Sequence, residues 1–475
     1  MIAISVDGKR YEVAQGRTIL QALDDLGLLG GDVVIPHYCW HPKLSIDGSC
    51  RMCQVEIKGQ PKLQIACNTT VAEGMEISTQ SPRVQAARGS VMELLLINHP
   101  LDCPICDQAG ECRLQDYAFE YGAKHSRTKE PRRPAKKAVE LGPTIVLDQE
   151  RCILCRRCVR FCREIPGTGE LGVFDRGDRS LLETFPGTPL DNPYSMNVAD
   201  ICPVGALTTK DFRFKIRVWF LEDVPGICTG CANGCNVHMG VANDKVYRYV
   251  PRRNDEVNDT WLCDAGRLSY QEIGNPDRLK QAFVQGEPVP YSDALAAAAA
   301  RLRSVAPSEI AALASGFASN EDLAELRRLL DALGVEARGA AIRRGEADAL
   351  LVKAEKAPNG EGARALGFGD PSAVLAAIRS GAIRALLVLG HHLLDLVDPA
   401  ELAALEHVIL LDTHRSALER VAHVVLPVRH AAEKQGTFTN HAGRVQRFEA
   451  ALEPAWEALA EGEVFARLVE RCSSR

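Results

Sequence analysis

Residues 152–162 read CILCRRCVRFC, and this run of four cysteines decides the interpretation of the chain. Its spacing is the one with which bacterial proteins hold [4Fe–4S] clusters, where the last thiolate of the run serves a second cluster. Residues 190–200 contain no second run of this type, and a distant Cys202-Pro203 pair follows them. The pattern therefore predicts one [4Fe–4S] cluster, the 152–202 site, and leaves Cys162 without a ligand role. Its predicted ligands are Cys152, Cys155, Cys158 and Cys202.

A second constellation, the 99–112 site, lies upstream of this run. Ser81-Pro82 starts a predicted helix that runs to Asn98 and delivers the first ligands. One imidazole and three thiolates can hold zinc or a [4Fe–4S] cluster, and the neighbouring iron–sulfur patterns favour the cluster. A neutral imidazole in place of a thiolate removes negative charge, which predicts a raised reduction potential. The candidate ligands are His99, Cys103, Cys106 and Cys112.

The N-terminal segment predicts a small β-grasp module with a cysteine set of its own. Residues 2–6 and 10–14 alternate around Asp7-Gly8, which predicts a hairpin, and a helix should start at Thr18. The following four cysteines, the 39–67 site, suit a [2Fe–2S] cluster, although the first gap is longer than in plant-type proteins. A structural zinc site remains the alternative. The candidate ligands are Cys39, Cys50, Cys53 and Cys67.

A fourth set, the 228–263 site, follows residues 214–221, which predict a strand. Four cysteines in a glycine-rich segment with a distant return indicate another [4Fe–4S] cluster, with zinc as the alternative. The candidate ligands are Cys228, Cys231, Cys235 and Cys263. Four clusters in one chain would form an electron relay.

Composition sets limits on the class of protein. The 475 residues include 17 cysteines, and sixteen of these lie between Cys39 and Cys263. Without an export signal or a membrane-length apolar run, such crowding indicates metal ligation in a soluble intracellular protein. The formal net charge of −6 gives no general attraction for nucleic acid. The basic residues 124–137 predict an extended connector, either solvated or docked against an acidic neighbour.

The residue composition and the hydrophobic pattern change beyond Pro276. Apolar strands such as residues 310–314, 385–390, 408–412 and 422–428 alternate with Ala- and Leu-rich helices, which predicts an α/β unit with a parallel sheet. Ser319 is a predicted helix N-cap. The His391-His392 pair predicts a surface turn.

Three segments carry a resemblance to a known family. Residues 99–122, 147–177 and 201–212 (HPLDCPICDQAGECRLQDYAFEYG, LDQERCILCRRCVRFCREIPGTGELGVFDRG and ICPVGALTTKDF) resemble the large iron–sulfur subunit of NADH:quinone oxidoreductase, respiratory complex I. The likeness covers about residues 1–270. It implies a [2Fe–2S] and two [4Fe–4S] clusters that relay electrons from the flavin-bearing NADH dehydrogenase subunit towards quinone.

The resemblance also implies a setting. The chain would be an electron-transfer subunit of an oxidoreductase and translocase, without a substrate-converting site of its own. It would lie with other peripheral-arm subunits on the cytoplasmic side of a bacterial inner membrane, touching the membrane arm only indirectly and binding no nucleic acid. The alternative is an electron-input subunit of an NAD-linked hydrogenase or formate dehydrogenase. A zinc-dependent assembly scaffold is a third interpretation.

The fourth cysteine set also resembles the iron–sulfur segment that opens molybdopterin oxidoreductases. Those enzymes commonly place a lysine after the last cysteine, whereas this chain reads CDAGR over residues 263–267. Residues 311–333 and 422–447 resemble the α/β core of that superfamily, but the region is short. The resemblance implies a degenerate domain that binds no molybdopterin, and a fourth cluster off the main electron path.

These patterns together predict a multidomain chain of mixed α+β and α/β class. The predicted domains are a β-grasp [2Fe–2S] domain (1–78), a one-His-three-Cys [4Fe–4S] domain (79–140), a ferredoxin-like [4Fe–4S] domain (141–216), a molybdopterin-oxidoreductase-type [4Fe–4S] segment (217–275) and a degenerate α/β domain (276–475).

Overall fold

A β-hairpin forms the N-terminus of the chain. The computed structural model describes residues 1–31 and 33–473, which fall into two compact units. Unit 1 comprises residues 1–220, and unit 2 begins at Leu221. In the hairpin, Asp7 and Gly8 have φ values of 48° and 84°, as a tight two-residue turn between antiparallel strands requires. The predicted hairpin is confirmed, with its second strand one residue earlier than expected.

The hairpin belongs to a five-stranded sheet with strand order β2-β1-β5-β3-β4, in which β1 runs parallel to β5. Helix α1 begins after Thr18, whose hydroxyl accepts a hydrogen bond from the Gln21 amide at 3.3 Å. The elements are β1 (Ile2–Val6), β2 (Lys9–Val13), α1 (Ile19–Asp25), β3 (Gln54–Ile57), β4 (Gln64–Ile65) and β5 (Met75–Ser78).

The rest of unit 1 consists of short helices and strands joined by the cysteine loops. Ser81 caps α2 by accepting from the Val84 amide, which confirms the predicted helix start. Arg88 of this helix is fully buried and donates to the Tyr121 hydroxyl and the Gln54 carbonyl, so it ties α2 to α3 and β3. The elements are α2 (Pro82–Leu96), α3 (Arg113–Tyr121), β6 (Val139–Glu140), β7 (Ile145–Leu147), α4 (Arg157–Glu164), β8 (Leu171–Phe174), β9 (Leu181–Thr184), α5 (Asn197–Asp200) and β10 (Leu207–Thr209).

The prediction of a strand over residues 214–221 is wrong. A 3-10 helix, Val218–Phe220, lies there instead, and the next strand begins at Glu222. Arg217 donates to the Cys106 carbonyl at 2.6 Å. A Cβ on Gly110 would lie 2.8 Å from Val218 and 2.9 Å from Trp219, so this segment packs directly on the 103–112 loop. Tertiary contacts therefore override the apolar alternation.

Unit 2 opens with a three-stranded antiparallel sheet, β11-β12-β13. A seven-stranded sheet follows, with strand order β15-β14-β20-β19-β18-β16-β17 and parallel pairing from β17 through β20. Its strands β16 and β18 are buried at every position because apolar clusters cover both faces, which confirms the predicted parallel α/β sheet.

The elements of unit 2 are β11 (Glu222–Ile227), β12 (Asn236–Ala242), β13 (Lys245–Pro251), α6 (Asp264–Leu268), β14 (Ala282–Val284), β15 (Glu287–Val289), α7 (Tyr291–Arg303), β16 (Ile310–Ser315), α8 (Asn320–Leu333), β17 (Ala337–Ala341), α9 (Gly360–Ala365), α10 (Ser372–Arg379), β18 (Ala385–Leu389), α11 (Pro399–Leu402), β19 (His407–Asp412), β20 (Val424–Pro427), β21 (Gly436–Thr439), β22 (Val445–Phe448) and α12 (Glu461–Ser473). Ser319 caps α8 as predicted, accepting from the Asp322 amide at 3.1 Å. Within the described residues, no helix is long and apolar enough to span a bilayer.

Candidate metal centres

The 39–67 site brings its four thiols together as two pairs. Cys39 and Cys50 are hydrogen-bonded to each other, and so are Cys53 and Cys67. The bond from the Cys50 thiol lowers the pKa of Cys39, whereas the bond to Cys67 and burial raise the pKa of Cys53. Three of the thiols are almost wholly buried, and Cys50 is half-buried. Two sulfur pairs in one loop cluster fit the donor set of a [2Fe–2S] centre, which takes four cysteines.

The 99–112 site surrounds a short 3-10 helix, Cys103–Ile105. Burial and the nearby Arg151 lower the pKa of His99 to about 4, so the imidazole is neutral at neutral pH, the form that binds metal. Cys106 and Cys112 are buried, while Cys103 is exposed. This donor set fits the predicted one-His-three-Cys centre.

Backbone from the segment that follows Cys202 closes over the 99–112 site. A Cβ on Gly205 would lie 2.3 Å from the Cys106 sulfur, so only glycine fits there. The Cys112 thiol lies 3.9 Å from the Pro203 carbonyl, which accepts its weak hydrogen bond. The Cys-Pro segment thus serves two neighbouring cysteine sets, a relation that spacing alone did not reveal.

An ion cluster joins the same two sets from another side. Asp102, next to Cys103, accepts from Arg151 at 2.9 Å and from Lys137 at 2.6 Å. Arg151 in turn precedes Cys152, and Lys137 also pairs with Glu150 at 2.8 Å. The basic connector is without helix or strand up to Ala138, as predicted, and its last lysine is neutralised inside unit 1. The only sequence signal for this cluster was a charge beside each cysteine motif.

At the 152–202 site, all four predicted ligands line one small cavity, together with apolar side chains such as Val173 and Leu182. Leu154 and Arg156 have φ values of 52° and 56°, in the left-handed region of backbone conformation. These two left-handed residues let the loop turn tightly around the cavity. Burial raises the pKa of Cys152 to about 12 and that of Cys155 to about 11. These thiols therefore remain protonated unless a cationic group takes the place of the protons, which is what an iron–sulfur centre would do.

Cys162 lies outside that cavity. Its side chain is fully buried and hydrogen-bonds to Glu170, and its carbonyl accepts from the amides of Thr168 and Gly169. Burial, followed by the charge and the hydrogen bond of Glu170, raises the pKa of its thiol. That placement suits a packing role, and the absence of a ligand role stays a prediction.

In the 228–263 site, backbone and amide donors already point at sulfur. The Gly230 amide lies 3.4 Å from the Cys228 sulfur, and the Gly266 amide lies 3.3 Å from the Cys263 sulfur. The Asn233 side chain donates to the Cys235 sulfur at 3.1 Å. N–H···S bonds stabilise thiolate, so this buried loop fits a tetranuclear centre. Among the described residues, no three Cys, His, Asp or Glu side chains converge on a single-ion site.

The His391-His392 pair is not the surface turn that was predicted. It starts a 3-10 helix after β18 and lines a cavity of about 280 Å³ at the carboxyl ends of the parallel strands. His391 Nδ1 lies 3.0 Å from the buried carboxylate of Asp412, which raises the pKa of the imidazole. His392 stacks on Phe317 with ring centroids 4.3 Å apart. Packing against β19 and the β16–α8 turn draws the pair inward.

A buried ion cluster closes the same part of unit 2. The Lys434 ammonium is 2.7 Å from the Asp322 carboxylate and also contacts Glu461, and all three side chains are almost inaccessible to water. The CDAGR segment ends on Arg267, which is buried and donates to the Tyr249 carbonyl at 3.0 Å.

Five family models match successive segments of the chain. They are a 2Fe-2S iron-sulfur cluster binding domain (residues 1–82), the NADH-ubiquinone oxidoreductase-G iron-sulfur binding region (88–127), the ferredoxin-like domain of NADH-quinone oxidoreductase subunit 3 (142–208), the molybdopterin oxidoreductase Fe4S4 domain (221–275) and molybdopterin oxidoreductase (343–471). Cluster-binding domains of both the 2Fe-2S and 4Fe-4S kinds are therefore present, within a mixed α/β chain.

Curated relatives agree with these matches. In Rickettsia conorii, the NADH-quinone oxidoreductase subunit designated G is 42% identical over 338 residues, which cover 70% of this chain and 49% of that protein. The mitochondrial NADH dehydrogenase [ubiquinone] iron-sulfur protein 1 of Solanum tuberosum is 39% identical over 70% of this chain and 45% of its own. The Streptomyces coelicolor subunit with the same designation as the Rickettsia protein is 38% identical over 63% of this chain and 36% of its own.

The chain spans about half the length of the first two of these relatives. Among solved structures, a chain of an NAD+-reducing [NiFe]-hydrogenase is 28% identical, with a TM-score of 0.40 over 46% of this chain and 91% of that one.

Proposed function

Because the chain belongs to the NADH-quinone oxidoreductase-G family, we propose that it is an electron-transfer subunit of such an enzyme. It holds one [2Fe–2S] and three [4Fe–4S] clusters and carries no substrate-converting site of its own. Its partners are the flavin-bearing NADH dehydrogenase subunit and other peripheral-arm subunits of the translocase. The assembly lies on the cytoplasmic side of a bacterial inner membrane.

One observation carries the proposal: at three of the four sets, predicted donors are mostly buried and either lie close to one another or accept hydrogen bonds at sulfur. The evidence is the thiol pairs of the 39–67 site, the single cavity of the 152–202 site and the N–H···S bonds of the 228–263 site. The proposed ligands are Cys39, Cys50, Cys53 and Cys67; His99, Cys103, Cys106 and Cys112; Cys152, Cys155, Cys158 and Cys202; and Cys228, Cys231, Cys235 and Cys263.

When bound, iron–sulfur clusters take up and release single electrons. The chain's own residues hold the thiolates, exclude water and fix the local charge. Neutral His99 lowers the negative charge of its centre relative to an all-cysteine set, and the Gly230, Asn233 and Gly266 donors stabilise sulfur at the 228–263 site. Each of these features raises the affinity of its centre for an electron.

The finer assignments follow the same logic. The five-stranded sheet of unit 1 is the β-grasp domain, and the α/β sheet of unit 2 is a degenerate molybdopterin-oxidoreductase domain without molybdopterin. No lysine follows Cys263 in the CDAGR segment, and the guanidinium of Arg267 at its end donates to a backbone carbonyl. The fourth cluster accordingly lies off the main electron path.

The test uses the full chain, reconstituted anaerobically with iron and sulfide. We expect about 14 iron atoms per chain, visible absorbance of iron–sulfur character, and EPR signals of one dinuclear and three tetranuclear centres after reduction. A colourless preparation that binds stoichiometric zinc would contradict the proposal, since zinc has no visible spectrum.

A variant pair tests the histidine ligand. His99→Ala should remove one tetranuclear signal, whereas His99→Cys should keep the centre and lower its potential because a thiolate adds negative charge. The matched control is His125→Ala, since His125 is exposed and outside every cysteine set. Equal spectra for His99→Ala and the control would refute the ligand role.

A further inference from the structure

Helix α4 carries a row of charged side chains that faces the loop of the 39–67 site. Arg156 pairs with Asp47 at 2.6 Å, and Glu164 accepts from the Ser45 amide at 2.8 Å. Between them, Arg160 donates to the carbonyls of Cys39 and Ser45. The helix that bears Cys158 of one candidate centre thus binds the cysteine loop of another.

Arg157 links the two centres most directly. It lies between Cys155 and Cys158 in sequence, and its guanidinium donates to the Ile201 carbonyl at 3.1 Å and to the Trp40 carbonyl at 2.5 Å. Ile201 precedes Cys202, and Trp40 follows Cys39. One side chain therefore hydrogen-bonds to the carbonyl of a residue next to a candidate ligand of each centre.

No carboxylate in the described part of the chain pairs with this guanidinium. Arg157 is 5% exposed, and within the described residues neither Arg157 nor Arg160 forms an ion pair with a carboxylate. Three candidate cluster ligands, the side chains of Cys155, Cys202 and Cys39, are close enough to favour its charged form. An unpaired buried charge is costly, and an arginine does not escape the cost by losing its proton.

A further arginine lies on the same side of the 39–67 loop. Arg113, which contacts His37 at 3.3 Å, adds a further positive charge to this side of the loop. The carboxylates of Asp47 and Glu164 beside this loop bind Arg156 and Ser45, and neither pairs with Arg157.

We propose that Arg157 is the shared counter-charge of the 39–67 and 152–202 centres, a positioning residue that holds both ligand loops and raises both reduction potentials. The inference rests on the proposed function, because the compensating negative charge is that of thiolate-ligated clusters at the two sites. Arg160 supports the 39–67 loop alone.

The experiment is an EPR-monitored redox titration of the full reconstituted chain and its variants. Arg157→Gln keeps donors but removes the charge, so both midpoint potentials should fall. Arg157→Lys keeps the charge, so both clusters should be retained with potentials closer to the parent than those of the glutamine variant. Arg163→Gln is the matched control, since Arg163 is an exposed arginine on the same helix, and it should shift neither.

The outcomes separate the alternatives. Unmoved potentials in Arg157→Gln, or a shift at one centre only, would overturn the shared role. Should the glutamine variant fail to fold, the lysine variant still decides: lost clusters or clearly lowered potentials at both centres would show that charge is not what matters. A parent chain without clusters would instead refute the proposed function, and this inference with it.

Discussion

The cysteine loops of unit 1 and the parallel sheet of unit 2 bury their side chains for different reasons. In the 152–202 site, four thiols face one cavity, and burial raises the pKa of each of them. In β16 and β18, every side chain is buried against apolar neighbours on both faces of the sheet. The sheet completes its own packing, whereas the loops are arranged around a group that satisfies the thiols. Their stabilities should therefore respond to different perturbations.

The largest expected difference concerns iron. Chelation should remove hydrogen-exchange protection from the loops of the 39–67, 99–112 and 152–202 sites, because metal-binding free energy, on the order of 10 kcal/mol for a structural site, becomes folding free energy. Amides of β16 and β18 should keep their protection. Equal loss in both regions, measured by mass spectrometry before and after chelation, would contradict the contrast.

Single thiols within one run should also differ. Cys202→Ser should remove the tetranuclear signal of the 152–202 site, since its sulfur faces the cavity. Cys162→Ser is the matched control and should preserve that signal, because Cys162 packs against Glu170 outside the cavity. Iron analysis and EPR of both variants make the comparison. The reverse result would show that the run closes on Cys162.

In unit 2 the most sensitive charge should be Lys434. Replacement by Met leaves the Asp322 and Glu461 carboxylates buried without their cation, and the free energy of unfolding should fall by about 3–5 kcal/mol. Replacing Arg467, whose pair with Glu463 is exposed, should cost less than about 1 kcal/mol. Urea unfolding of the two variants measures the difference. Similar losses would mean that the buried cluster is not specially stabilising.

A smaller effect should appear on acidification. Burial lowers the pKa of His430 to about 3, so this imidazole stays neutral in the fold while the unfolded chain binds a proton below about pH 6.5. The stabilisation is present above pH 6.5 and is lost as the pH falls, by about 1–2 kcal/mol at pH 5. His430 Nδ1 accepts the Ala432 amide at 3.1 Å, a capping bond that Asn can replace.

His430→Asn should therefore flatten the pH dependence of unfolding between pH 7 and pH 5. His125→Asn, at an exposed position, serves as the control and should leave the slope unchanged. Urea midpoints at several pH values decide between them, and parallel curves for the parent and His430→Asn would exclude this histidine as the source of acid sensitivity.

Short-range patterns predicted much of what the structure shows. The Asp7-Gly8 turn, the Thr18, Ser81 and Ser319 helix starts and the apolar strands of the α/β sheet depend on residues within a few positions of one another. The CxxC parts of the cysteine patterns are equally local, whereas Cys202 and Cys263 return from distant positions and were found from the family pattern. The sequence by itself therefore determined these turns, helix starts and buried strands, and it supplied the four predicted cysteine sets and the family resemblance.

Tertiary structure alone decided how distant segments share a site. Arg157 and Trp40 are 117 positions apart, and neither residue type indicates the hydrogen bond between them. Gly205 beside the Cys106 sulfur, the 3-10 helix in place of a strand at Val218–Phe220 and the inward-facing His391 depend likewise on what packs against them. Hydrophobic periodicity and cysteine spacing depend only on residues that are close in sequence. The burial and the charged surroundings of these positions depend on segments that are distant in sequence and are brought together by folding.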